Sequence, residues 1–98
     1  MLTNAVLQKI INDTGDRIYA FGIDNSSILY IGYSSSPKLS DIELVNIDGV
    51  DFVKVNRTSR SQGKELKFAN YILTEYIQWI GIMDEKDKDY RPDPLTLK

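Results

Sequence analysis

The stretch from Lys54 to Lys67 holds Lys54, Arg57, Arg60, Lys64 and Lys67 against a single acid, Glu65. Guanidinium and ammonium groups gathered at this density suit contact with phosphate, because each offers charge-assisted donors to its oxygens. The bland alternative is a solvated loop and helix start, the ordinary use of a charge run. The whole chain carries a net charge of −2, which argues against coating nucleic acid by bulk charge and leaves only a local patch for that work. A second run, DEKDKDYRPD from Asp84 to Asp93, is dominated by acids.

Cysteine and histidine are both absent from the 98 residues. Their absence removes disulfides, thiol nucleophiles, Ser-His-Asp triads and the usual zinc sites. A metal would have to be a hard cation such as Mg2+ or Mn2+, held by carboxylate oxygens. The start, MLTNAVLQKI, lacks the basic opening and continuous apolar core of a signal peptide, and no run reaches the ~18 apolar residues of a membrane span. These features predict a cytoplasmic protein.

The elements that must position such side chains follow from periodicity. Ala5, Val6, Leu7, Ile10 and Ile11 recur at helical spacing before Gly15, which predicts a short helix over residues 4 to 14. Two β-rich runs, residues 18 to 23 and 28 to 33, flank the turn-forming Asp24-Asn25-Ser26-Ser27 and predict a hairpin. Ser36 before Pro37 reads as an N-cap and first helical position, for a short helix over 37 to 42. Residues 43 to 47 and 50 to 55 flank Asp48-Gly49, the pair that a type I′ hairpin favours, which predicts either a second hairpin or a looser turn feeding one strand.

Next comes the longest periodic segment. Leu66, Ala69, Leu73, Tyr76, Ile80 and Met83 lie 3, 4, 3, 4 and 3 apart, with Phe68, Ile72 and Trp79 widening the stripe. Ser59 and Gln62 stand at capping-box spacing before it. This predicts a helix from about residue 60 to 82. The expected fold is a small α+β domain over residues 1–83, with helices on a mostly antiparallel sheet of three or four strands and a long C-terminal helix. Residues 84–98 read as a charged, extended or mobile tail.

Tyr19 and Tyr30 lie 11 positions apart, and Tyr30-Ile31-Gly32 is followed by Ser34-Ser35-Ser36-Pro37. With Arg17-Ile18-Tyr19 in the place of the first motif, residues 17 to 77 resemble the GIY-YIG nuclease superfamily, especially its small phage-associated branch. The resemblance implies that Tyr19 and Tyr30 position a water for attack on phosphate and that Glu65, at the start of a helix, holds one Mg2+ or Mn2+ ion. It also requires a helix arginine, whose place falls at Ser40, and the histidine common in that branch is missing. Loss of such a charged stabiliser costs on the order of 10²–10³ in rate. Lys38, Arg57, Arg60 and Lys64 are then the candidate nucleic-acid contacts. Read without the resemblance, the tyrosines are strand aromatics packing across a hairpin, and Glu65 is a carboxylate favourable at a helix N-terminus.

Two functions remain. One is a non-catalytic protein of phage or mobile-element type that binds and modulates a host protein or nucleic-acid complex, with a homodimer through the helix of residues 60–82 as a further possibility. The other is a weak metal-dependent endonuclease or nucleic-acid-binding module.

Overall fold

Helix α1 spans Asn4–Thr14 and stops at Gly15, where the apolar spacing and the glycine place it. Thr3 caps its start by accepting the Val6 N–H, and Leu7 is its fully buried residue. The computed structural model describes residues 1–24 and 27–88. Asn25 and Ser26 of the expected turn lie outside the described residues, as do positions 89–98 of the expected tail.

Among the described residues six strands follow: β1 (Ile18–Ile23), β2 (Ser27–Tyr30), β3 (Ile42–Ile47), β4 (Val50–Ser61), β5 (Lys64–Leu73) and β6 (Ile77–Ile82). They form two antiparallel sheets of three strands, in the orders β2-β1-β6 and β3-β4-β5. The β3–β4 hairpin turns at Asp48-Gly49, both at positive φ, as the sequence anticipates. The short helix expected over 37 to 42 shrinks to one 3-10 turn, Leu39–Asp41. Ser36 caps no helix: its hydroxyl accepts the Tyr33 N–H and donates to the Tyr33 carbonyl, closing a local turn.

The single sheet beneath a long C-terminal helix does not form. Residues 60 to 82 hold the end of β4, all of β5, a 3-10 turn at Thr74–Tyr76 and all of β6. Gln62 and Gly63, at φ 53° and 75°, build a two-residue hairpin turn, and Ser59 pairs with Leu66 rather than capping anything. Gly63 and Gly81 would each cost a helix interior about 1 kcal/mol relative to alanine. Ile77, Trp79, Ile80 and Ile82 are the β-branched and aromatic types that a pleated sheet accommodates. A homodimer through a helix of residues 60–82 therefore has no helix to use.

One core lies between the helix and the two sheets. It gathers Leu7 of α1, Ile18, Phe21, Leu29 and Ile77 of the first sheet, Val53 and Val55 of the second, and Ile31 just beyond β2. Among the described residues no helix is long and apolar enough to cross a membrane.

The polar clasp of the fold is Asn4. Its amide nitrogen donates to the carbonyls of Val45 at 2.9 Å and Phe52 at 3.4 Å, and its Oδ1 accepts the Thr74 hydroxyl at 2.6 Å. Its backbone N–H donates to Asp51 at 2.8 Å. Thr74 is fully buried, so its replacement by valine keeps the shape and strips Asn4 Oδ1 of that donor. Thr74→Val is expected to cost about 1–3 kcal/mol in urea unfolding.

The bonds from the Asn4 N–H and the Asn46 side chain hold the Asp51 carboxyl below its ordinary pKa. A lowered folded value means that the contribution is full above the unfolded value of 3.8 and is lost as pH falls through the folded one. The stability difference between wild type and Asp51→Ala should thus hold from neutral pH down to about 4 and shrink below it, as urea titrations across that range would read.

Candidate nucleic-acid interface

The register of β4 against β5 decides where the cations go. Arg57 pairs with Phe68, Thr58 with Lys67, Ser59 with Leu66, Arg60 with Glu65 and Ser61 with Lys64. Because side chains alternate along a strand, Arg57 and Lys64 share one face with Leu66 and Phe68, while Lys54, Arg60 and Lys67 share the other. Every residue from Thr58 to Phe68 is exposed, so this half of the hairpin stands free of the core as a two-stranded ribbon.

At the ribbon's base lies a polar cleft of about 480 Å³. One wall is the loop Ser34–Pro37, and the other is Asn56–Ser59 with Phe68. The loop follows Tyr30-Ile31-Gly32 after Tyr33 and is fixed by local bonds, from the Gly32 N–H to the Pro37 carbonyl at 2.8 Å and from Ser36 to the Tyr33 carbonyl. Arg57 Nε donates to Asn70 Oδ1 at 2.7 Å, which orients the guanidinium at the cleft. Asp41 also lines the cleft, and its carboxylate accepts the Lys38 backbone N–H at 3.0 Å. An arginine, several hydroxyls and a half-exposed phenyl ring can together contact a phosphate and a base. On the opposite face Lys54 sits 5.8 Å from the centroid of the exposed Tyr71 ring, which meets Phe52 edge-on at 6.1 Å.

Of the residues singled out from the sequence, Arg57 and the serine loop meet in this cleft, and Lys38 follows the loop directly. Arg60 and Lys64 stand further out on the ribbon. Glu65 lies near the ribbon tip, on a strand rather than at a helix start, across the ladder from Arg60. Tyr19 and Tyr30 lie on the paired strands β1 and β2 of the other sheet, where the Ile31 N–H donates to the Tyr19 carbonyl at 2.9 Å. Each ring has packing of its own. Tyr30 meets Tyr33 edge-on at 5.5 Å, and Tyr19 lies over Gly81 of β6. Among the described residues no three acidic side chains gather where a metal ion would be held.

Phe68, Asn70, Thr58 and Ser59 join the site only through strand pairing; the helix expected over 60 to 82 hides Phe68 and Asn70 and takes Ser59 as its cap. The signal available was Gln62-Gly63, which fixes the register from Lys54 to Tyr71 once it is taken as a hairpin turn.

The chain matches no family model, no curated protein and no solved structure.

The Tyr19–Gly81 contact has a partner of opposite sense, since Trp79 of β6 lies over Gly22 of β1. A side chain at either glycine would run into the ring above it. Gly81→Val is expected to cost about 1–3 kcal/mol by overpacking. Most of that loss should vanish in a Tyr19→Ala background, a non-additivity that a double-mutant cycle on thermal or urea unfolding measures.

Proposed function

We propose that the protein is a non-catalytic binding module that engages nucleic acid through the β4–β5 ribbon and the cleft at its base. The observation that carries this reading is the projecting ribbon itself, which with its base sets Arg57, Arg60, Lys64 and Lys67 against Glu65 on a chain of net charge −2. A two-stranded ribbon has the width that the major groove of a duplex admits. Exposed cations on both faces reach phosphates on either side of it, and Phe68 beside Arg57 suits a base that has left its stack. Contacts of this kind position the protein on the backbone, so the reading implies weak sequence preference.

Four ribbon cations on four phosphates give a characteristic salt response. For a labelled duplex followed by fluorescence anisotropy, log K should fall against log salt with a slope of about −3 to −4, and about −3 on a single strand. Arg60→Ala and Lys64→Ala should each weaken binding on every sequence alike and reduce the slope by about 1. Arg57→Ala should weaken the single strand more than the duplex, because it also disturbs the cleft. Salt-independent binding, or no binding to either form, would discard this assignment.

A further inference from the structure

Among the described residues the two sheets leave four strand edges, and three of them carry protection against pairing. β2 is only four residues long, β3 carries Glu43, and β5 carries Lys64, Glu65 and Lys67. The fourth edge is β6, IQWIGI, with neither charge nor proline. Its pairing with β1 shifts register at Gln78 and again between Gly81 and Ile82, which leaves Trp79 to Gly81 as the regular stretch of this edge.

Beside that edge runs a groove of about 740 Å³, walled on its other side by α1. Ile77, Gln78, Trp79 and Ile80 all line it, so consecutive residues of both faces contribute and the groove lies against the strand's edge. Val6 and Ile10 of α1 face Ile80 and Ile82 across it, and Val6 and Ile82 are 48% and 41% exposed. Free backbone donors and acceptors next to open apolar surface are what an extended segment needs. The edge completes its hydrogen bonds and alternate side chains fill the groove.

Charge selects the occupant. Asp13 stands near the Ile82 end of the groove and Glu75 near the Ile77 end, and among the described residues no lysine or arginine lines it. A second copy pairing antiparallel through β6 would bring Glu75 of one chain towards Asp84 of the other, a repulsion at both ends of the contact. A strand with basic ends meets attraction at both.

We propose that the groove between α1 and β6 receives an extended polypeptide segment of alternating apolar residues flanked by lysine or arginine, which pairs with β6 and extends the β2-β1-β6 sheet. This site is separate from the ribbon, so protein and nucleic acid can be held at once.

Trp79 is the one tryptophan of the chain and lines the groove, so its emission reports occupancy. The probe is an end-capped peptide, Lys-Lys-Val-Thr-Val-Thr-Val-Lys-Lys. Two controls carry glutamate in place of lysine, or proline in place of the central valine. The lysine peptide is expected to shift the emission to the blue saturably, and both controls to bind at least ten-fold more weakly. Val6→Lys and Ile82→Lys alter exposed positions and should abolish the response while the circular dichroism spectrum stays unchanged. Asp13→Lys with Glu75→Lys should hand the preference to the glutamate peptide. Equal binding of lysine and glutamate peptides, tolerance of the central proline, or absence of binding by all three would overturn the proposal. So would a dimer in sedimentation that Ile82→Lys dissolves, since a second copy would then be the occupant.

Discussion

One asparagine side chain holds the architecture in register. Asn4 uses both amide protons and its carbonyl oxygen within the fold, on Val45, Phe52 and Thr74, and its backbone N–H on Asp51. Those partners belong to β3, β4 and the turn between β5 and β6, so the first residue of α1 is fixed to the second sheet and to the entry of the first. A half-buried amide with every partner in place resists a shift of its neighbours, because a displaced partner such as the fully buried Thr74 hydroxyl is left desolvated and unpaired. Hydrophobic contact between α1 and the strands would allow sliding. The amide removes that freedom and thereby sets the width of the groove between α1 and β6.

The second constraint is steric and joins β1 to β6. Each strand contributes one glycine and one aromatic ring, with Trp79 over Gly22 and Tyr19 over Gly81. A ring laid over a strand glycine covers backbone that would otherwise be wet and locks the pairing against slippage. Seen this way, Tyr19 has a sufficient structural reason for its place, and Gly81 becomes as informative as the tyrosine. Tyr30 shares its surroundings with Tyr33 rather than with Tyr19. The side chains that suggested a common chemical patch are each engaged by a different neighbour.

The sequence announces α1 and the β3–β4 turn because both are local. Residues at i, i+3 and i+4 before Gly15, and Asp48-Gly49 between two apolar runs, need no information from elsewhere in the chain. The segment from Leu66 to Met83 is different. Its apolar spacing fits a helical stripe, and only the pairings of Ser61 with Lys64 and of Ala20 with Gly81 reveal it as two strands in separate sheets. The second of those partners lies about sixty residues upstream, beyond the reach of any local window. The candidate interface divides in the same way. Its cations can be counted in the sequence, whereas Phe68, Asn70 and the serine loop become their neighbours only after β4 and β5 have found their register.

The boundary between core and contact surface is written along one face of β4. Val53 and Val55 are fully buried, and the next residues on that face are Arg57, Ser59 and Ser61. Opposite them on β5, Ile72 is partly buried while Phe68 and Leu66 are 48% and 43% exposed. Six residues beyond Val55 at ~3.3 Å each carry the ribbon about 20 Å. Had the extension served only to lengthen the sheet, the valine pattern would continue and something would cover it. It instead changes to arginine and serine on one strand while apolar side chains persist on the other. That combination neither buries itself nor is fully polar, and on it rests the proposed contact with a partner that is charged along its backbone and flat on its faces.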